Sequence, residues 1–177
     1  MAQEGKPLAK IAEAFKDLSA TVNSGTQDVK LVEFSRACSL ISPLFGCLGI
    51  TFKFAEMDFV ADVHGLAEAS KSIESLQSLL DRDTENDCVK KDGSHSRNLL
   101  KVKRGIDMVR VLFQQILASK GNSLKVPASV AYAKVLAPHH GRAIRTVVAA
   151  GMLALPTKAR LLQKLNENEA SARVQMQ

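Results

Sequence analysis

Asp58 and Asp62 stand four residues apart, Arg97, Lys101 and Arg104 recur once per helical turn, and His139 and His140 are adjacent. Each set could do chemistry. Carboxylates at i,i+4 spacing serve as acid/base groups or cation ligands. Three cations on one stripe either hold an anion or form a solvated helix end. Cations in a first turn oppose the helix dipole, a cost that a bound anion would offset. A histidine donates or accepts according to its tautomer, so His140 suits an amide or a phosphate. Adjacent histidines lack the i,i+4 spacing of a metal pair. No G-x-S-x-G, P-loop, H-E-x-x-H or G-x-G-x-x-G surrounds any of these residues, so catalysis has little support. Cys38, Cys47 and Cys88 are odd in number and show no C-x-x-C spacing. Zinc and disulfides are therefore not expected, nor is a cofactor, and a reducing cytosol fits best.

Each polar set heads an apolar stripe. Arg97, Lys101 and Arg104 continue as Met108, Val111 and Leu112. His140 continues as Ile144, Val147, Val148 and Gly151. Asp58 follows Thr51, Phe54 and Ala55. Surfaces that pass from charge to oil along one helix suit an amphiphile, with the charge on a head group and the oil on its tails.

The elements that must carry these stripes are helices. The 177 residues are enough for one domain with a core, and 46% are apolar against 24% charged, so the chain is globular. β-branched runs are short, and Gly and Pro are sparse inside the periodic stretches. The net charge of +6 draws anions: nucleic acid, phosphorylated ligands or an anionic leaflet. The cationic stripe lacks interleaved aromatics and no nucleic-acid module is visible, so nucleic acid is not expected. MAQEGKPLAK has no apolar h-region of a secretory signal, and no run reaches the ~18–20 apolar residues of a membrane span. The expectation is a cytoplasmic protein, peripheral at any membrane.

Periodicity predicts helices over Leu8–Val22, stopped at Asn23-Ser24-Gly25, and over Asp28–Leu40. After a disturbance at Pro43 and Gly46 it predicts Leu48–Leu66 and then Ala67–Leu80. Ser94 caps a long helix to about Ser119, Pro127–Leu136 is a short one, Pro138 opens the next, and Thr157 caps a last one toward Ala172. In the long helix Leu99, Val102, Ile106, Val109, Phe113 and Ile116 form one apolar face, with Met108, Val111 and Leu112 nearly opposite. A helix greasy on both sides is held between two layers. The fold class expected is all-α, a two-layer helical sandwich.

At these same residues the chain resembles glycolipid transfer protein domains, and among them the plant accelerated-cell-death type that carries ceramide-1-phosphate. The strings are Phe45-Gly-Cys-Leu-Gly-Ile with Phe54-Ala-Glu-Met-Asp-Phe-Val, then Gly93-Ser-His-Ser-Arg-Asn-Leu-Leu-Lys-Val-Lys-Arg-Gly, then Ala137-Pro-His-His-Gly. The resemblance covers nearly the whole chain, so residues 1–177 would form a single such domain. It implies a sheath-like apolar pocket, non-vesicular carriage of a sphingolipid between membranes without covalent chemistry, and a link to restraint of programmed cell death. It implies that Asp58 accepts from the lipid amide N–H, that His140 meets the amide carbonyl, and that Arg97 and Lys101 grip phosphate. The tails would lie along Phe54, Met108, Val111, Leu112, Ile144 and Val147. The partners implied are the lipid and the cytosolic face of anionic membranes, with the protein a monomer.

Three positions depart from that pattern. Asp62 stands where the phosphate-binding branch has Lys, and two unit charges ~4 Å apart at an effective dielectric of ~20 interact by about 4 kcal/mol. Repulsion there would remove much phosphate affinity unless Asp62 pairs with Lys101 or Arg97. The sugar-binding branch has Asn there, so Asp62 could instead accept from hydroxyls. Arg142 stands where an aromatic is frequent. Family members usually run one more helical segment past Gln177, which leads to the expectation of a less closed pocket. The alternative function is a sphingolipid sensor or helical interaction module without productive transfer.

Overall fold

Pro7, in the first turn where a missing N–H costs nothing, opens α1 (Pro7–Ser24), and Gly25 ends it in the left-handed region at φ 63. The computed structural model describes residues 5–25 and 28–177, so part of the N-terminal signal-peptide reading, residues 1–4, lies outside the described residues. The next apolar stretch, Leu31–Leu48, is 18 residues long with a mean hydropathy of 1.3, which departs from the expectation that no run reaches span length. It is not one rod. A turn at Leu40–Ile41 and Pro43 divide it into α2 (Leu31–Ser39) and α3 (Ser42–Leu48); Leu31 of α2, Ile41 of the turn and Leu44 of α3 are core residues.

Gly49, at φ 106, turns the chain into a 3₁₀ turn over Ile50–Phe52 and then α4 (Lys53–Ala69). The expected helix Ala67–Leu80 does not form as one piece. The Ser70 hydroxyl donates to the Ala67 carbonyl, and Ser75 caps a separate α5 (Leu76–Glu85) by accepting from the Ser78 N–H. Serine hydroxyls that bond nearby backbone compete with helix continuation.

Ser94 accepts from the Arg97 N–H and caps α6 (His95–Ala118), as expected. The α7 helix is Lys125–Val135. Pro138 does not open the next helix. It sits in a 3₁₀ turn, His140 is extended, and α8 (Arg142–Gly151) begins after Gly141. The single terminal helix expected from Thr157 is also two. Thr157 caps α9 (Lys158–Lys164), Asn166 turns the chain at φ 54, and Asn168 with Ser171 forms the capping box of α10 (Glu169–Gln175).

All elements among the described residues are helical, apart from two isolated bridges, Lys30 with Ser75 and Ser123 with Thr157. The α6 helix is packed between α4 and α7, the position its two apolar faces predict. Val102 and Ile116 on one face and Val111 and Leu112 on the other are all buried.

The α4–α6 register follows from two glycines. A Cβ on Gly105 would stand 2.7 Å from the Phe59 ring, and one on Gly65 would stand 2.8 Å from Asn98 Nδ2. With Asp62 paired to Lys101 between them, the partners descend along α6 as they ascend along α4. The helices are antiparallel and close.

Candidate functional site

Because of that register, the charged end of α6 faces the charged part of α4. Lys101 Nζ lies 3.4 Å from Asp62 Oδ1. Two steps further along the pairing, Ala55 and Met108 both line an apolar cavity of about 110 Å³. Both helices therefore pass from charge to oil in the same spatial direction. The cavity is walled by α3, α4, α6, α7, α8 and α9, with Phe45, Leu48, Phe113 and Val148 among its liners. Tyr132 and His140 alone among the lining residues carry side-chain N or O atoms.

His140 links the cavity to the charged rim. Its Nδ1 is 2.9 Å from Tyr132 Oη, and Arg145 Nε donates to its backbone carbonyl at 2.9 Å. Burial holds the His140 imidazole below its ordinary value, and the positive charges of His139, Arg145 and Arg104 hold it lower still. A neutral imidazole whose Nδ1 accepts from Tyr132 keeps its proton on Nε2, free to donate to a carbonyl. Burial raises the Tyr132 phenol against the pull of Arg145, so the hydroxyl keeps its proton.

The rim groups sense one another. Burial pushes the Asp62 carboxyl above its usual range; Lys101 lowers it by charge and hydrogen bond, and Asp58 raises it further. Arg104, one turn nearer the cavity than Lys101, reaches His140 electrostatically. Asp58, Asp62 and Lys101 thus lie within electrostatic reach of one another on the α4–α6 contact beyond the cavity, while His140 lines the cavity itself. Arg97 stands a turn further out. It bonds the loop before α6, 3.1 Å from Asp92 Oδ1 and 3.4 Å from the Lys90 carbonyl. Both side chains of the Arg97–Asp92 pair are substantially solvated, so the pair is weak and Asp92 is replaceable.

The tail residues divide. Met108 and Leu112 line the cavity. Phe54, Val111, Ile144 and Val147 do not. Phe54 is 79% exposed, Ile144 50% and Val147 65%. Val111 is buried, but on the side of α6 that carries Arg104 and Arg110 toward α7. Helical periodicity places a residue on a stripe and cannot say how far round the stripe the neighbouring helix stands. Among the liners that sequence reasoning missed, Phe52 and Val109 flank the expected stripes by one position, and Phe45 lies on α3, which carries none of them. Tyr132 had a weak signal: it is the chain's one Tyr, eight residues before His140.

Among the described residues no group of three His, Cys, Asp or Glu side chains is placed to hold a metal ion. All three cysteines are free thiols, and burial pushes Cys38 up to about 12.

Residues 29–167 match the sequence profile of the glycolipid transfer protein family. The chain belongs to that family. Accelerated cell death 11 of Arabidopsis thaliana is 62% identical over 173 residues, covering 97% of this chain and 84% of the relative. The ACD11 homolog protein of the same plant is 46% identical over 181 residues, covering 99% and 79%. The crystal structure of a variant of Arabidopsis accelerated cell death 11 complexed with ceramide-1-phosphate superposes with a TM-score of 0.96 at 60% identity, covering 98% of this chain and 87% of that one. The all-α fold and the family expected from the residues are both borne out.

Proposed function

We propose that this chain extracts a sphingolipid, ceramide-1-phosphate foremost, from one membrane and delivers it to another without chemical change to lipid or protein. The carrying observation is the apolar cavity with a single histidine–tyrosine pair at its polar end and the Asp62–Lys101 pair two steps further along the α4–α6 contact. The relative solved with ceramide-1-phosphate shares this fold across nearly the whole chain, which supports the choice of lipid.

In this reading Asp58 accepts from the amide N–H and His140 Nε2 donates to the amide carbonyl. Lys101, with Arg97 released from Asp92, takes the phosphate. The tails enter between Met108, Leu112, Phe113 and Val148. Burying a methylene is worth ~0.8 kcal/mol, so a bare acyl chain in water costs on the order of 10 kcal/mol. A sheath that receives the chain as it leaves the bilayer removes that cost from the exchange.

The cavity must widen to do so. A methylene is about the size of a water, which needs about 10–15 Å³ of such a cavity, so about 110 Å³ receives on the order of ten carbons, fewer than the two tails carry. The α8 helix is the wall with least packing to lose: between Arg142 and Ala150 only Val148 is even half-buried. Ile144, Val147 and the following Leu153 are exposed, and Thr51 packs on Gly151 at the end of α8, so the exposed Ile50 beside Thr51 stands near that end. That apolar face would enter the headgroup region, with the protein acting as a monomer from the cytoplasm.

The test is vesicle-to-vesicle transfer of ceramide-1-phosphate by the wild type and by Arg97→Leu. Loss of transfer in the variant with retained thermal stability is expected. Equal transfer removes the phosphate role of Arg97, and no transfer by the wild type turns the reading to a sensor or interaction module.

A further inference from the structure

Asp62 occupies the middle of the rim. Its side chain is 15% exposed, while that of its partner Lys101 is 52% exposed. The pair is fixed by backbone register and not by chance surface association. The close approaches of Phe59 to Gly105 and of Asn98 to Gly65 bracket it on both sides along the helices. The other charges facing Asp62 are known. Asp58 lies one turn away on α4 and adds repulsion. On α6, Arg97 is turned outward to Asp92 and Lys90, and Arg104 lies on the α7 side of the helix, in the groove with Lys134 and His139. The charges that act on Asp62 are therefore one cation, Lys101, and one further carboxylate, Asp58.

We infer that Asp62 is the specificity-determining residue of this rim: it is a resident counter-ion for Lys101, which a phosphomonoester must displace in order to bind. The inference rests on the carrier reading above. A phosphomonoester brings up to two negative charges beside Asp58 and Asp62, and it must compete for Lys101 with a carboxylate that cannot leave. A head group of hydroxyls brings no charge and meets in Asp62 a hydrogen-bond acceptor. Asp62 thus lowers affinity for ceramide-1-phosphate relative to a hexosylceramide, without touching the amide or the tails.

The test is equilibrium binding of ceramide-1-phosphate and of a monohexosylceramide, presented in neutral vesicles, to the wild type, Asp62→Asn and Glu13→Gln. Asn keeps the shape of Asp62 and removes its charge. Glu13→Gln makes the same charge change at an exposed position on α1. Asp62→Asn is expected to bind ceramide-1-phosphate about fivefold or more tightly, the upper range for a partly screened ion pair, with hexosylceramide unchanged or weaker. Thermal melts of each variant report its folding. Equal ceramide-1-phosphate affinity in the wild type and Asp62→Asn overturns the inference and leaves the carrier reading standing. An equal gain from Glu13→Gln overturns it as well, because net charge alone then accounts for the effect. Binding of neither lipid by any of the proteins overturns both the inference and the carrier reading.

Discussion

Tyr132 Oη lies 2.9 Å from His140 Nδ1, and the two rings are 5.6 Å apart at their centroids. A phenol that donates to Nδ1 selects the tautomer with its proton on Nε2, in the one imidazole that lines the cavity. Tyr132→Phe removes that selection and keeps the ring. A net hydrogen bond is worth about 0.5–1.5 kcal/mol, so the variant is expected to transfer lipid about two- to tenfold more slowly, with its melting temperature little changed. A vesicle transfer assay beside a thermal melt checks this.

His140 also makes stability depend on pH. Its folded-state value lies below the ordinary one, so the unfolded chain takes up the proton first as pH falls. Stability is full above about pH 6.5, the unperturbed histidine value, and declines as pH falls through the folded-state value. His140→Gln is expected to flatten that slope. Urea titrations at pH 7.5 and pH 5 measure it, and an unchanged slope contradicts the assignment.

Asp83 is buried, yet it accepts the Ser96 backbone N–H at 2.7 Å at the start of α6. Burial raises its carboxyl. The bonds from Ser96 and Cys88 and the charge of His95 together outweigh that and hold it below the usual range. Its contribution is present above the ordinary carboxylate value and is lost as pH falls through the lower folded-state value. Asp83→Asn is expected to cost about 1–3 kcal/mol at neutral pH, with the gap to the wild type narrowing near pH 3. Denaturant unfolding at both pH values decides.

Gly105 tests the α4–α6 spacing. A methyl there meets the Phe59 ring, which is itself pinned near Phe45 at 5.4 Å between centroids. Overpacking costs about 1–3 kcal/mol, while replacing an interior helix glycine by alanine returns about 0.5–1 kcal/mol. The clash wins. Gly105→Ala is expected to be less stable by about 1–2 kcal/mol on these figures, and to weaken ceramide-1-phosphate binding by shifting the rim.

Val148 tests the cavity. Val148→Phe would fill part of the space between α8 and α6. Filling a void leaves stability equal or higher, but the tails lose their entry. Transfer reduced about tenfold or more with no fall in melting temperature is expected. Ile144→Ser on the outer face of the same helix should instead reduce the rate at which the protein engages vesicles, read by sedimentation with liposomes.

Much was legible without coordinates. The 3–4 spacing of apolar residues from Leu99 to Ile116, greasy again on the far side at Val111 and Leu112, determined that α6 lies between two others. Ser94, Thr157 and Gly25 marked their helix ends because capping is a local event of a few bonds. The polar heads of three stripes, together with the family strings around Asp58, Arg97 and His140, pointed to an amphiphile. Local chemistry read less well where two tendencies compete. Ser70 and Ser75 broke a periodic run, and Asn166 divided the terminal helix.

What only the tertiary structure decided is relational. The sequence left open whether Asp62 repels a phosphate or pairs with a cation; the close antiparallel approach at Gly65 and Gly105 puts it on Lys101. It placed Phe54, Ile144 and Val147 on oily stripes, and the rotation of each helix turned them outward, while Val148 of the same stripe stayed on the cavity and Phe45 and Val109 joined it. A helical period fixes which residues share a face, while the facing partner and its distance come from packing between elements far apart in the chain.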